Sequence, residues 1–470
     1  MPYELRKKPA AKKAPEVPSF RPRTRKSAKR SNGAPAPHLI LAVPPATAGA
    51  PHASAQPALK RMRTQVPDRI LEAAPSIVIV RSGNTIEANR FCSLCANGGT
   101  LSVCSKCDGS VCQDCVKPAN NIAFTCPNCH DGGPYPHKLT YTSRSRGSTQ
   151  MLDSSPLCII AFRLAGSPDD GSAEHVAYHR VYPYFRGNVA LITVWFNLED
   201  DGAQIGIAVG DLIDTLTGHD FAQFNRFVVT ITTHSDPGRG DLHIIPKNQG
   251  SLTVSNLMEF LLPAGLQKIL GRGSEKDRNL CVFFTCGAAV KRVSSFEDIR
   301  SLEASGLFAE VIGFTQKDLQ PELLSSWFSE LVYSYFVLNY NSSEPVLKNH
   351  HVTGSHTGIV SFRKNTIYEY AWVHPTRQPF GKPVVAQCPE CGHLNSWTKS
   401  LRQGPKSTKK VAPLKDGYDL RCKTDDCEAI LSCDPPSTND WMWVGQPLLD
   451  GPHGAWLRFD RTLCECIPTL

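Results

Sequence analysis

No apolar stretch follows the charged first ten residues, so the chain opens without the hydrophobic segment of a secretory leader and export is not expected. No run of about 18 apolar residues occurs anywhere, which excludes a helical membrane span and a membrane partner. No internal repeat is evident. Acidic residues are almost missing from positions 1–64, where Glu4 and Glu16 face fourteen Lys and Arg, a net charge of +12. The whole chain carries only +8, so the other 406 residues are net −4 and the basic character belongs to the tail. Cysteine, by contrast, is plentiful. Eighteen cysteines without an export signal argue against a disulfide framework, and most fall in close pairs. That pattern fits metal binding in a reducing compartment. The Asn341–Ser342–Ser343 sequon is therefore not expected to carry a glycan.

Composition divides the chain. Residues 1–70 are rich in Pro, Ala, Lys and Arg and have almost no periodic apolar pattern. Such a segment buries too little surface to offset its ordering entropy and is expected to be a disordered basic tail. Its densest stretch, Arg21 to Arg30, has the character of a nuclear-import or non-specific nucleic-acid contact segment, with simple solubilisation as the other reading. The expected location is nuclear, with the cytoplasm as the alternative.

From Leu157 the character changes. The runs Leu157–Leu164, Val189–Trp195, Phe227–Thr233 and Leu280–Phe284 are short, β-rich and almost continuously apolar, as strands covered on both faces are. Between the last two, Val254, Leu257, Met258, Leu261 and Leu262 make the stripe of an amphipathic helix. Strand, helix and strand over about sixty residues read as a parallel crossover. Phe308–Phe314 adds a strand and Pro321–Val337 a helix, giving an α/β sandwich over 155–342. Beyond 345 the pattern loosens into loops and short strands, with His350, His351 and His356 read as solvated.

The first cysteine group is Cys92, Cys95, Cys104, Cys107, Cys112, Cys115, Cys126 and Cys129, four CxxC knuckles within about forty residues. Zinc takes four thiolate or imidazole ligands in a tetrahedron, and each knuckle supplies two from one tight turn. A unit this small cannot be held by its core, so metal binding must supply most of its folding free energy. With Gly98, Gly99, Thr100 and Leu101 ahead of the third ligand, the four-residue gap after Cys107 and Phe124 two residues before Cys126, residues 88–131 resemble the plant-homeodomain (PHD) type of zinc finger. The resemblance implies a cross-brace with two zinc ions. Cys92, Cys95, Cys112 and Cys115 would share one, and Cys104, Cys107, Cys126 and Cys129 the other. Cys112 stands where the family usually has histidine. The resemblance also implies docking of a protein or histone-tail peptide added as a strand. Trimethyl-lysine reading needs an aromatic cage, and between Cys92 and Cys129 the only aromatic is Phe124.

A second group, Cys388, Cys391, Cys422 and Cys427, resembles a zinc ribbon over 380–460 holding a third zinc, with Cys433 as an alternative to Cys422 or Cys427. Gly392 completes the first knuckle. Cys464 and Cys466 stay unassigned.

His234 ends one apolar run and Cys286 another, 52 residues later. Consecutive parallel strands deliver both to the carboxyl edge of the sheet, where α/β sites form. Cys286 could act as nucleophile, His234 as base, and the N–H groups of Cys286 and Ser235 as an oxyanion hole. This order resembles the caspase-like peptidases, which implies a caspase-like fold and cysteine endopeptidase activity. Ser235 replaces the family's glycine. Two functions result for the multidomain chain: a peptide- or chromatin-docking adaptor with a silent caspase-like domain, or a cysteine endopeptidase.

Overall fold

The computed structural model of the chain describes residues 77–81, 91–95, 100–106, 109–140, 155–167, 172–185, 188–199, 202–272, 279–394, 397–401, 417–436, 441–444 and 454–461. All of them fall in one compact unit, Ile70–Leu470. The basic tail, Cys107, the Gly98–Gly99 pair, Cys464 and Cys466 lie outside the described residues.

Ten strands form one mixed sheet. In chain order they are β1 (Ile77–Arg81), β2 (Leu157–Leu164), β3 (Val189–Phe196), β4 (Arg226–Thr232), β5 (Leu280–Phe284), β6 (Glu310–Phe314), β7 (Ile359–Arg363), β8 (Thr366–Val373), β9 (Trp441–Trp443) and β10 (Ala455–Asp460). Across the sheet the order is β1-β3-β2-β4-β5-β6-β7-β8-β10-β9. The five strands from β3 to β6 run parallel, and β1 and β7 to β10 are antiparallel to their neighbours. The chain thus leaves β2 in two directions, first to β3 and then across to β4.

The helices are α1 (Ala173–Phe185), α2 (Ala203–Thr217), α3 (Val254–Leu261), α4 (Ala264–Leu270), α5 (Ala288–Lys291), α6 (Val293–Ala304) and α7 (Ser325–Val332). The sheet's two faces bury separate cores. Cys158, Ile160, Phe162 and Leu164 of β2 join the layer of α2, α3, α4 and α6. Leu157, Ile159 and Ala161 of the same strand join the layer of α1 and α7. Every residue of β2, β4 and β5 is buried, as their largely apolar character requires of strands covered on both sides. The helix expected between β4 and β5 begins at Val254, where the Thr253 hydroxyl accepts the Asn256 N–H at 3.2 Å. The helix expected over 321–337 is three pieces: a 3-10 turn, α7 and a π turn at Tyr333–Val337.

One feature departs from the sequence reading. The sheet of the α/β region does not end near residue 342. Ile359–Arg363 pairs antiparallel with β6, and three further strands carry the sheet to Asp460. The second cysteine group sits on the segment between β8 and β9. The Gly240–Ile245 run forms a strand at Leu242–Ile245, but it pairs with Gln249–Leu252 in a separate hairpin. Its partners explain why: His243 N–H donates to the His234 carbonyl at 2.9 Å and Thr233 Oγ1 to the His243 carbonyl at 2.6 Å. The hairpin braces the end of β4. Among the described residues no helix is long and apolar enough to cross a membrane.

Glu310 opens β6 in full burial. Hydroxyls of Ser343 and Ser361 donate to its Oε1 at 2.5 and 2.6 Å, and the Ser343 N–H to Oε2 at 3.1 Å. Burial pushes this carboxyl above the ordinary 4.5, and the hydrogen bonds offset that only in part. A folded pKa above the unfolded one contributes stability in full below pH 4.5, and that stability is lost as pH rises through the folded value. The variant Glu310→Gln keeps shape and acceptor but cannot ionise. Urea titrations at several pH values should show it losing less stability than the wild type between pH 4.5 and neutrality; equal slopes would mean that the carboxyl titrates normally.

Candidate metal centres and a candidate thiol site

The finger is built from turns, one short hairpin and a second, longer-range pair of strands. Leu101–Val103 pairs with Ser110–Cys112, and Val116–Lys117 with Lys138–Leu139. The hairpin brings Cys112 back to the Cys92–Cys95 knuckle, with the Cys95 and Cys112 sulfurs 3.6 Å apart. Sulfurs of Cys92, Cys95, Cys112 and Cys115 all lie within 4.8 Å of one another. Those of Cys104, Cys126 and Cys129 form a second such group, while Cys107 lies outside the described residues. Backbone N–H groups of Lys106 and Cys126 point at the Cys104 sulfur, at 3.4 and 3.2 Å. These two sets are the alternate pairing of a cross-brace.

The third group joins Cys388, Cys391, Cys422 and Cys427. Its sulfur separations, 3.7 Å for Cys388 to Cys427 and 3.6 Å for Cys391 to Cys422, match the roughly 3.8 Å edge of a tetrahedron with zinc–sulfur bonds of about 2.3 Å. Gly392 turns the knuckle with φ +74°, a left-handed backbone that suits glycine. Cys422 ends the middle strand of a three-stranded sheet, Trp397–Leu401, Tyr418–Cys422 and Ile430–Cys433. Cys433 faces Tyr418 across that sheet and stands outside the four-sulfur group.

The chemistry of the donors fits a divalent cation. Within the first group, burial raises the Cys92 thiol but N–H groups of Cys112, Cys95 and Leu94 pull it below its ordinary value. Burial and the neighbouring sulfurs push Cys115 far up. Four thiolates at this spacing repel one another unless a cation lies among them. Three cysteine groups are therefore arranged to hold metal ions, in a manner compatible with zinc. The sequence reading missed the rings beside the second group. Phe124 packs on His137, with centroids 5.1 Å apart, and Tyr135 meets His137 edge-on at 5.2 Å. Tyr135 also donates its hydroxyl to the Thr125 carbonyl at 2.8 Å. Tyr135 and His137 lie past Cys129, where a search confined to the ligand span does not look.

On the sheet, Phe284 pairs with Thr232 at the ends of β5 and β4. Two residues further along each chain stand Cys286 and His234. Their side chains meet, with Sγ 3.7 Å from Nδ1. His234 is exposed and Cys286 half-buried, so the pair is open to solvent. Burial raises the Cys286 thiol, but the His234 ring and the N–H groups of Leu319 and Ser235 more than offset this, leaving its pKa below the ordinary value. The bond to Cys286 outweighs desolvation at His234 and raises its pKa. Both shifts favour the thiolate–imidazolium pair. Ser235 N–H, expected at an oxyanion, is turned to the sulfur itself, and the Ser235 hydroxyl donates to the Cys286 carbonyl at 2.9 Å.

Residues 235–241 are held by several hydrogen bonds. Asp236 Oδ1 accepts N–H groups of Gly238 and Arg239, at 3.0 and 2.8 Å, and Arg292 Nε donates to the Pro237 carbonyl at 2.8 Å. Gly240, at φ +81°, lies so close to Ser295 and the Ala288 carbonyl that a Cβ would clash. Below the pair, Arg163 at the end of β2 lies level with Thr232. It bonds Glu174 of α1 at 2.9 Å, both side chains being buried, and Thr230 donates to the same carboxylate at 2.8 Å. The sequence reading did not find this ion pair.

No protein-family model matches this chain, and no curated protein matches it. The metal reading therefore rests on the geometry alone. Metal analysis of the purified chain should return three zinc ions, and Cys104→Ala should cost one or two of them. Hydrogen exchange in that variant should accelerate across residues 91–140 while β2, β4 and β5 stay protected; protection retained in the finger would show that its metal is dispensable to folding.

Proposed function

We propose that this chain is a zinc-stabilised cysteine endopeptidase of the caspase-like kind, with a PHD-type finger that docks its substrate or partner. The observation that carries the reading is the 3.7 Å approach of Cys286 Sγ to His234 Nδ1 at the carboxyl ends of two adjacent parallel strands, in a position open to solvent. A strand order in which the third parallel strand returns beside the first agrees with the caspase-like arrangement.

The chemistry follows from the pair. The Cys286 thiolate attacks the carbonyl carbon of a peptide bond, forming a C–S bond and placing negative charge on the carbonyl oxygen. Backbone N–H groups near the sulfur, that of Cys286 among them, are the donors for this oxyanion. Imidazolium of His234 passes its proton to the leaving nitrogen as the C–N bond breaks. Neutral His234 then takes a proton from water, whose oxygen forms the new C–O bond. The C–S bond breaks, releasing the acid and restoring the thiolate. The contacts to Cys286 come from the loops after β4 and β6, and the strands that carry them are fully buried, which favours a preorganised nucleophile.

A docking role for the finger is supported by its hairpin. Leu101–Val103 pairs only with Ser110–Cys112 among the described residues, leaving an edge on which a peptide strand can add. The ligand we propose is a protein or histone-tail peptide, in the nucleus, with the +12 tail making non-specific contact with nucleic acid. An adaptor without peptidase activity would keep these features and lose only the reactivity of Cys286.

Iodoacetamide labelling resolved residue by residue separates the two. Cys286 should label with a pH midpoint below the ordinary 9.0, whereas the fully buried Cys158 and Cys281, raised by desolvation, should stay unlabelled. His234→Ala should move the midpoint upward and abolish capture by a thiol-reactive peptide probe. Probe capture that persists in Cys286→Ala would end the peptidase reading.

A further inference from the structure

Residues 315–320 leave β6 and run beside the thiol. They touch its turn at three points. Gln316 accepts the Gly287 N–H at 2.7 Å, and the Leu319 N–H is directed at the Cys286 sulfur. Gly287 lies so close that a Cβ on it would fall 2.2 Å from the Thr315 carbonyl oxygen. Any shift of this loop is therefore felt at Cys286.

The loop's two ends are held by two consecutive residues of another element, at the end of the short helix His351–His356. At one end, the N–H groups of Thr315 and Gln316 both donate to Thr357 Oγ1, at 3.2 and 3.1 Å, and the Gly358 N–H donates to Thr315 Oγ1 at 3.0 Å. At the other end, the Gln320 N–H donates to His356 Nε2 at 3.0 Å. An imidazole nitrogen accepts a hydrogen bond only while it carries no proton. The His356 clamp therefore exists only in the neutral ring, with its proton on the other nitrogen.

We infer that His356 and Thr357 are positioning residues for the Cys286 thiol, acting through residues 315–320, and that protonation of His356 releases one end of that clamp. This rests on the reading of Cys286 as the nucleophile. Burial alone accounts for the lowered pKa of His356. The titratable side chains on the elements packed around it contribute nothing to that shift: His350 and His351 on its own turn, Lys317 and Asp318 on the loop, Glu322 on the next turn, and Glu369, Tyr370 and His374 along β8 and just past it. With the folded pKa depressed, the clamp is fully made above the unfolded value of 6.5 and is lost as pH falls through the folded value.

The test is the pH profile of Cys286 alkylation by iodoacetamide in the full chain. His356→Ala should raise the midpoint by about one pH unit and slow labelling at pH 7 about ten-fold, and Thr357→Val should act likewise. His356→Gln keeps an acceptor oxygen but cannot titrate. It should label as fast as the wild type at neutral pH and hold its reactivity to lower pH. Profiles of His356→Ala and wild type that superimpose would overturn the inference. If His356→Ala unfolds, seen as labelling of Cys281, the decision passes to the acid limbs of His356→Gln and wild type, whose coincidence would also overturn it. Failure of the nucleophile reading looks different: wild-type Cys286 would then label with the ordinary midpoint, and His234→Ala would leave it unchanged.

Discussion

Burial of the central strands on both faces is the constraint from which the rest of the molecule follows. With β2, β4 and β5 covered by α1 and α7 on one side and by α2, α3, α4 and α6 on the other, no polar group of these strands reaches solvent except where the strands stop. Ladder hydrogen bonds use up the backbone, and apolar packing uses up the side chains. Chemistry is pushed to the carboxyl edge, and there the parallel register decides which residues meet. Phe284 lies level with Thr232, so residues two beyond each stand side by side at 3.7 Å. A slip of one residue in that register would turn one of the two side chains to the opposite face. The site's geometry is thus a consequence of the core.

Where a core of that size is absent, sulfur takes over. The finger and the ribbon each bury little beyond their cysteines and a few rings, such as Phe124, Tyr135 and His137, or Trp397 and Tyr418. In the finger, N–H groups pull Cys92 down while burial and the neighbouring sulfurs push Cys115 up, so negative charge is crowded there without room to separate. A divalent cation converts that repulsion into attraction and closes loops that the apolar contacts alone would leave open. One chain therefore uses two means of holding shape: apolar layers where length permits a sheet, and thiolate clusters where it does not.

How much of this was legible beforehand follows from the same physics. Doubly covered strands must be apolar almost throughout, so the runs that became β2, β3, β4 and β5 stood out, and the separation of His234 from Cys286 could be read against them. Cysteine ligands must come in knuckles, so their spacing exposed both metal-ligand groups, though only the folded sheet showed Cys433 to be apart from the second. Less legible were elements whose stability comes from partners distant in sequence. Helix α1 carries Glu174, His175, His179, Arg180 and Pro183 within thirteen residues, and its apolar face is interrupted. The Arg163 side chain, eleven positions earlier, and the Thr230 hydroxyl, 56 positions later, explain why Glu174 is buried there. Strands β7 and β8 are mixed in character, and they join the sheet because β6 offers an open edge to β7 and β7 in turn to β8. His356 read as a solvated loop histidine, because nothing local reveals that Gln320 comes to meet it.

That last contact also bears on how a thiol can be held among several donors on a rigid scaffold. A thiolate needs several donors at once, and no single loop can supply them without strain. Here they come from two, set around the thiol's own turn after β5: the His234 ring and the Ser235 N–H after β4, and the Leu319 N–H after β6. Both loops are fastened in turn. The His243 N–H braces the first, Arg292 holds the residues just beyond it, and His356 with Thr357 holds the second. Both also bond the thiol's own turn, the first through the Ser235 hydroxyl on the Cys286 carbonyl and the second through the Gln316 carbonyl on the Gly287 N–H, so a shift of either loop reaches the thiol. The clamps are therefore the places where the site can be tuned without touching the sulfur or its imidazole. Of these clamps only His356 accepts through an imidazole nitrogen, which takes a hydrogen bond only while it carries no proton, so this is the fastening that acidity can open.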